Sequence, residues 1–224
     1  QHGSLELDGL IRNYYFYVPS SYDGSVPVPL VFSFHGIHSS GFGQQSLTKM
    51  DILAEKEGFI IVYPDGQPIP EGVGILQDTS MIAGYQGLWN FTDLGLSDMK
   101  FISVLIDKLA GTDTTEGEFN IDRTRIYATG MSNGGIFSHK LAIELSDKIA
   151  AVACVTGPLA RISAAKIPAR PITVIQASGD ADPILGWNGN DALGTLSVDD
   201  TIAWWNKHNQ TSATPVVEEY PPVV

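Results

Sequence analysis

The chain has 224 residues, 43% hydrophobic and 17% charged, which suits one domain with a large apolar core. Its 13 basic and 25 acidic residues leave a net charge of −12, a field that repels nucleic acid and anionic membranes and argues against both as partners. No stretch reaches the roughly 18 apolar residues of a membrane span. The single cysteine, Cys154, leaves no intrachain disulfide and reads as a small core hydrophobe.

The elements follow in order. "RNYYFYV" (12–18) is aromatic and β-rich, an early strand, and "PSSYDGSVPVP" after it is turn chemistry. "LVFSFHG" (30–36) has the continuous apolar character of a buried parallel strand. A helix is expected over about 44–57, ended by Gly58, and "FIIVYP" (59–64) is a second buried strand. Residues 64–90 are rich in glycine and proline without a period, the mark of a long loop that is functional or mobile. Between 97 and 110, Phe101, Ile102, Leu105, Ile106 and Leu109 share one helical face. "RIYATG" is a strand, 134–146 a helix, "IAAVACV" a strand, "PITVIQAS" (171–178) a strand, and 198–208 a helix. Strands alternating with helices at this spacing predict a mostly parallel sheet with helices on both faces, in a single α/β domain over 1–224.

The chemistry centres on Gly130-Met131-Ser132-Asn133-Gly134. A strand precedes this G-x-S-x-G and a helix pattern follows it. In that context the serine sits at the apex of a tight strand-to-helix turn, and side chains larger than glycine at the flanks would collide. The turn aims a helix N-terminus at the hydroxyl, where backbone N–H groups favour a developing oxyanion. The donors expected are Asn133 and a backbone N–H near Ile37 or His38, in the loop after "FSFHG". His35 is expected to fix that loop by hydrogen bonding. A third element, "QASGDADPILGW", ends a buried strand in a loop with two acids, Asp180 and Asp182. Either can orient a histidine, and spacing alone does not choose between them.

"YVPSSYDG", "LVFSFHGIHSSG", "EGFIIVYPDG", "NIDRTRIYATGMSNGG" and "SGDADPILGW" fall in the same order as in one group of α/β-hydrolases. The chain resembles the polyhydroxybutyrate depolymerase, feruloyl esterase and acetylxylan esterase family over most of its length. The resemblance implies an α/β-hydrolase fold with Ser132 as nucleophile, and it matches Asp182 to the catalytic acid better than Asp180. Ser178 stands where relatives often carry histidine, and the paired cysteines of some members are absent.

The base is the difficulty. Triad order in this fold is serine, acid, histidine, and only His208 follows Asp182. His208 lies in "AWWNKHNQ", at a helix end. His139 is seven residues past Ser132 on one helix, about 10 Å away. His35 and His38 lie on the oxyanion side and His2 is terminal. In relatives the catalytic histidine belongs to a motif resembling "GGHTWPG", beyond the equivalent of Val224, so the domain is expected to lack its C-terminal strand and helix here.

The expectation is a serine carboxylic-ester hydrolase that needs no metal or cofactor and acts on a small-molecule or polysaccharide-linked feruloyl, acetyl or hydroxyalkanoate ester. Trp89, Trp187 and His38 are the candidate substrate-binding side chains. A serine peptidase of related fold and a non-catalytic carbohydrate- or partner-binding protein are the alternatives. The His35/His38 spacing is not that of a catalytic zinc helix. No basic-then-apolar leader opens the chain, and a secreted or periplasmic protein with its leader removed is expected.

Overall fold

A computed structural model describes residues 1–68, 87–91, 98–211 and 214–220. Strands β1 (His2–Leu7) and β2 (Leu10–Tyr17) form an antiparallel hairpin. Its two-residue loop, Asp8-Gly9, has φ of 53° and 77°, the double positive φ of a type I′ turn. The sequence reading found only the second strand, starting at Arg12. Asp-Gly between apolar residues was the overlooked signal.

Strand β2 then pairs antiparallel with β4 (Ile60–Pro64), and the rest of the sheet is parallel: β4 with β3 (Val28–Phe34), β3 with β7 (Ile121–Met131), then β8 (Ala151–Val155) and β9 (Thr173–Ala177). The seven-stranded order is β1-β2-β4-β3-β7-β8-β9. A separate two-stranded pair joins β5 (Gln67–Pro68) to β6 (Gly87–Leu88), bracketing most of the expected long loop. Residues 69–86 of that loop lie outside the described residues.

Alternation along β3 sorts the two faces. Leu30, Phe32 and Phe34 face a core shared with helices α3 (Asp98–Ala110), α4 (Asn133–Glu144) and α5 (Val198–Asn209). Val31 joins Ile61, Tyr63 and Ala54 on the opposite side. There the expected single helix over 44–57 is two: α1 (Gly41–Thr48) and α2 (Met50–Glu57). Lys49 divides them at φ 50°, and its N–H returns to Gln45 O to close α1. Two glycines in α1 weaken its hold on a continuous axis. Gly58 ends α2, as the sequence indicated, with φ 72° and its N–H on Ala54 O.

The opposite face is open over β7 to β9, where Tyr127, Thr129, Ala151, Ala153 and Ile175 line a groove of about 280 Å³. Strand β9 forms the sheet edge.

Candidate active site

Strands β3 and β7 pair in register to their ends, Phe34 opposite Gly130. Both chains leave the sheet at the same height, and this brings the two halves of the site together. Ser132 stands between β7 and α4 at φ 55°, ψ −120°, a conformation that costs a non-glycine residue about 1–3 kcal/mol. It persists because both peptide groups are tied. The Ser132 N–H donates to Val155 O at 2.8 Å, and its carbonyl accepts from Ile136 N at 3.0 Å. The flanking glycines have a steric cause. A Cβ at Gly130 would lie 2.3 Å from Gly134 O, and one at Gly134 would lie 2.3 Å from Phe34 O.

A cavity of about 80 Å³ opens at the serine, lined by Ile37, Leu88, Phe91, Ser132, Asn133, Ile136, Ile184, Leu185 and Leu193. It joins four separate stretches of sequence: the loop after β3, residues 87–91, the elbow with the start of α4, and the acid loop with its continuation to Leu193. Asn133 is the first residue of α4, so its N–H has no partner within the helix. Ile37 lines the cavity, whereas the His38 N–H is committed to Gly87 O at 3.1 Å.

Sequence reasoning missed the Asn133 side chain. Its Oδ1 accepts the Trp89 N–H at 2.8 Å and its Nδ2 donates to Trp89 O at 3.1 Å. The next peptide is also held, with Asn90 N–H on Asp98 Oδ2 at 2.8 Å. Asp98 is buried against Arg12 at 2.5 Å, and the Arg12 guanidinium lies 4.0 Å from the centre of the Phe101 ring. The wall of the cavity at residues 87–91 thus hangs on a buried ion pair that begins in β2.

The acids separate. Asp182 Oδ1 accepts the N–H groups of Ile184 and Leu185, each at 2.9 Å. That turn lowers Leu185 into the cavity wall beside Ile136 and Phe91. Asp180 is exposed, in a separate open groove with Ser178, Gly179 and Trp187.

The expected substrate contacts need correction. Trp89 is 0% exposed, stacked on Phe137 at 5.0 Å and 18° and edge-on to Phe34. Its ring is core and offers no face to a ligand. Trp187 lines the Asp180 groove instead of the Ser132 cavity, and its Nε1–H is held by Asp199 Oδ2 at 3.1 Å. His38 is half-buried at φ 61°, does not line the cavity, and its Nδ1 has no hydrogen-bond partner among the described residues.

None of the five histidines reaches Ser132. His35 is a structural residue: Nδ1 contacts Gly36 O at 2.7 Å and Nε2 accepts the Gly66 N–H at 3.0 Å. Burial lowers its pKa to about 4. His139 is buried below the elbow, between Gln176 and Trp205. His208 binds Trp204 O and stacks on Trp204. His2 is exposed at β1, edge-on to Tyr15. Among the described residues no cluster of three His, Cys, Asp or Glu side chains is placed to hold a metal ion, and no helix is long and apolar enough to cross a membrane.

No family model matches the chain. A bifunctional acetylxylan esterase/xylanase of Neocallimastix patriciarum is 31% identical over 179 residues, which are 80% of this chain and 22% of that protein. Feruloyl esterase B of Piromyces equi is 28% identical over 178 residues, 76% of this chain and 29% of that one. The chain is homologous to acetylxylan and feruloyl esterases. The fold agrees: the crystal structure of a thermostable esterase superposes with a TM-score of 0.57 at 18% identity, covering 93% of this chain and 52% of that one. This esterase homologue therefore has the α/β-hydrolase fold, and it spans less than a third of the two curated relatives described.

Proposed function

We propose that this domain is a serine carboxylic-ester hydrolase acting through an acyl-enzyme. The observation that carries the reading is Ser132 held at φ 55° at the mouth of a cavity shared with Asn133 and Ile37. Strain at one non-glycine residue, tied at both peptide groups, is hard to account for in a protein that only binds.

Ser132 Oγ attacks the ester carbonyl and loses its proton to a histidine. The carbonyl oxygen becomes an oxyanion, held by the N–H groups of Asn133 and Ile37 and by the N-terminus of α4. The tetrahedral adduct collapses, the alcohol leaves with a proton from the histidinium, and water releases the acyl group by the same steps in reverse. Asp182 orients the histidine. One of its oxygens is fixed by two N–H groups, which leaves the other to accept from an imidazole. Since the five histidines lie elsewhere, the base is a histidine outside these 224 residues.

The substrate is a feruloyl, acetyl or hydroxyalkanoate ester, either small or attached to a polysaccharide. The acyl side meets Leu88, Phe91, Ile136 and Leu185, an apolar wall. A polysaccharide-linked substrate would place the enzyme outside the cytoplasm. The test is the intact mass of the full-length natural protein before and after a fluorophosphonate. One adduct, lost in Ser132→Ala, supports the hydrolase. No adduct leaves a non-catalytic hydrolase fold. An amide substrate turned over faster than esters would favour a peptidase.

A further inference from the structure

Four side chains between α5 and the acid loop form one line of hydrogen bonds. Trp205 Nε1 meets His139 Nδ1 at 3.0 Å, His139 Nε2 meets Gln176 Oε1 at 2.9 Å, and Gln176 Nε2 meets Ser178 Oγ at 2.8 Å. The chemistry of the first member fixes the direction of all the rest. An indole nitrogen only donates, so His139 Nδ1 accepts. An imidazole that accepts at Nδ1 is neutral and carries its proton on Nε2. That proton points at Gln176, whose oxygen accepts and whose amide nitrogen donates to Ser178. Every proton in the line is directed towards Ser178, whose own hydroxyl is left to donate onward.

The line has a defined beginning and end. His139 is 0% exposed, on the helix that follows Ser132. Ser178 opens the loop that carries Asp182, and the loop continues the bonding. The Asp182 N–H donates to Gly179 O at 3.4 Å, and Asp182 Oδ1 holds Ile184 and Leu185. At the far end Leu185 sits in the cavity wall, and Asn190 Nδ2 holds Ile184 O at 2.8 Å. A buried imidazole has no role in the ester reaction as drawn, and the composition of the core does not call for one. A polar line that runs into a core is costly unless every member is satisfied, and here all three contacts, one buried and two part-buried, are made.

We infer that His139 is a positioning residue: with Gln176 and Ser178 it sets the height of the acid loop relative to the serine elbow, and so the aim of the Asp182 carboxylate. The inference rests on Asp182 being the acid of the proposed ester hydrolase.

The test uses the full-length natural protein and three variants: Ser178→Ala, which removes only the half-buried terminal hydroxyl, Gln176→Leu and His139→Phe. Each is expected to lower kcat by about ten-fold, the scale of a misplacement below 1 Å, with KM little changed. The acidic limb of the kcat/KM profile is expected to move to lower pH. A carboxylate aimed at the catalytic imidazole raises that histidine's pKa, and a misaimed one raises it less. Ser178→Ala combined with Gln176→Leu should cost no more than either alone, because the line acts as a unit. A merely structural role would lower Tm and leave the limb in place. Asp182→Asn separates the two readings. If it is inactive while Ser178→Ala and Gln176→Leu keep wild-type kcat and an unmoved limb, the positioning role is overturned. If Asp182→Asn keeps full activity, the acid assignment falls and the positioning role with it.

Discussion

Asn133 grips the peptide of Trp89 from both sides, accepting its N–H at 2.8 Å and donating to its carbonyl at 3.1 Å. The same residue presents its main-chain N–H beside Ser132. One residue therefore brings its main-chain N–H to the cavity and ties the wall at residues 87–91 through its side chain.

Asn133→Ala retains the main-chain N–H and strands the buried Trp89 N–H, while Trp89 O keeps the Phe91 N–H at 3.1 Å. The expected loss of stability is about 1–3 kcal/mol, the cost of leaving such a group unsatisfied. Ester turnover is expected to fall about ten-fold as Leu88 and Phe91 shift with the freed segment. Denaturant melts and steady-state kinetics on one preparation check both. Wild-type values would mean that Asp98 and the hydrogen bonds of Gly87 to the loop after β3 hold residues 87–91 without Asn133.

Ser132→Gly and Ser132→Ala are expected to differ. Both remove the hydroxyl. Only glycine relaxes at φ 55°, ψ −120°. Relief of about 1–3 kcal/mol of strain, less the roughly 0.5–1 kcal/mol entropy that glycine brings, leaves Ser132→Gly more stable by about 1 kcal/mol. Ser132→Ala should match the wild type. Equal Tm values for the two variants would show that the elbow is unstrained.

The strand-to-helix units were legible because their signals are local: continuous apolar runs for β3 and β4, one apolar face for α3, glycines at the elbow. The elbow could be read because strand, glycines and helix pattern occur within a dozen residues. What could not be read depends on who meets whom. Trp89 has the composition of a ligand platform, but its ring is buried, stacked on Phe137 and edge-on to Phe34, both far away in sequence. Asp180 and Asp182 are equivalent in spacing, and they part only because the turn at Asp182 sends Leu185 into the cavity. The break at Lys49 is an energetic matter, a single left-handed residue that ends α1 and opens α2, and it leaves no gap in the helical pattern.

Arg12 and Asp98 link the amino-terminal hairpin to the site. Both are almost wholly buried, at 3% and 0%. Arg12→Met would leave the Asp98 carboxylate without its cation beside Asn90, and removing one partner of a buried pair costs about 3–5 kcal/mol. Replacing both, Arg12→Met with Asp98→Leu, removes the charge but also the acceptor of the Asn90 N–H. The double variant is expected to regain most of the stability and little of the activity. Thermal melts and kinetics separate these outcomes. Full recovery of activity would show that the pair serves the fold alone.

Acid should destabilise this fold earlier than its carboxylates require. Burial lowers the pKa of both His35 and His139 from 6.5 to about 4. Above pH 6.5 neither the folded nor the unfolded chain protonates them, and their contribution is complete. As the pH falls from 6.5 towards 4, the unfolded chain binds two protons that the folded chain refuses, so stability falls. Each histidine contributes up to about 1.4 kcal/mol per pH unit in that window. Below about pH 4 both states are protonated and the loss levels off. The window between pH 6.5 and 5 lies above the ordinary carboxylate range, so the slope of unfolding free energy there reports mainly on the histidines. In His139→Phe the slope from the two buried rings should fall by half. A slope unchanged by that substitution would mean that His139 takes up its proton while folded, and Trp205 could not then be donating to its Nδ1.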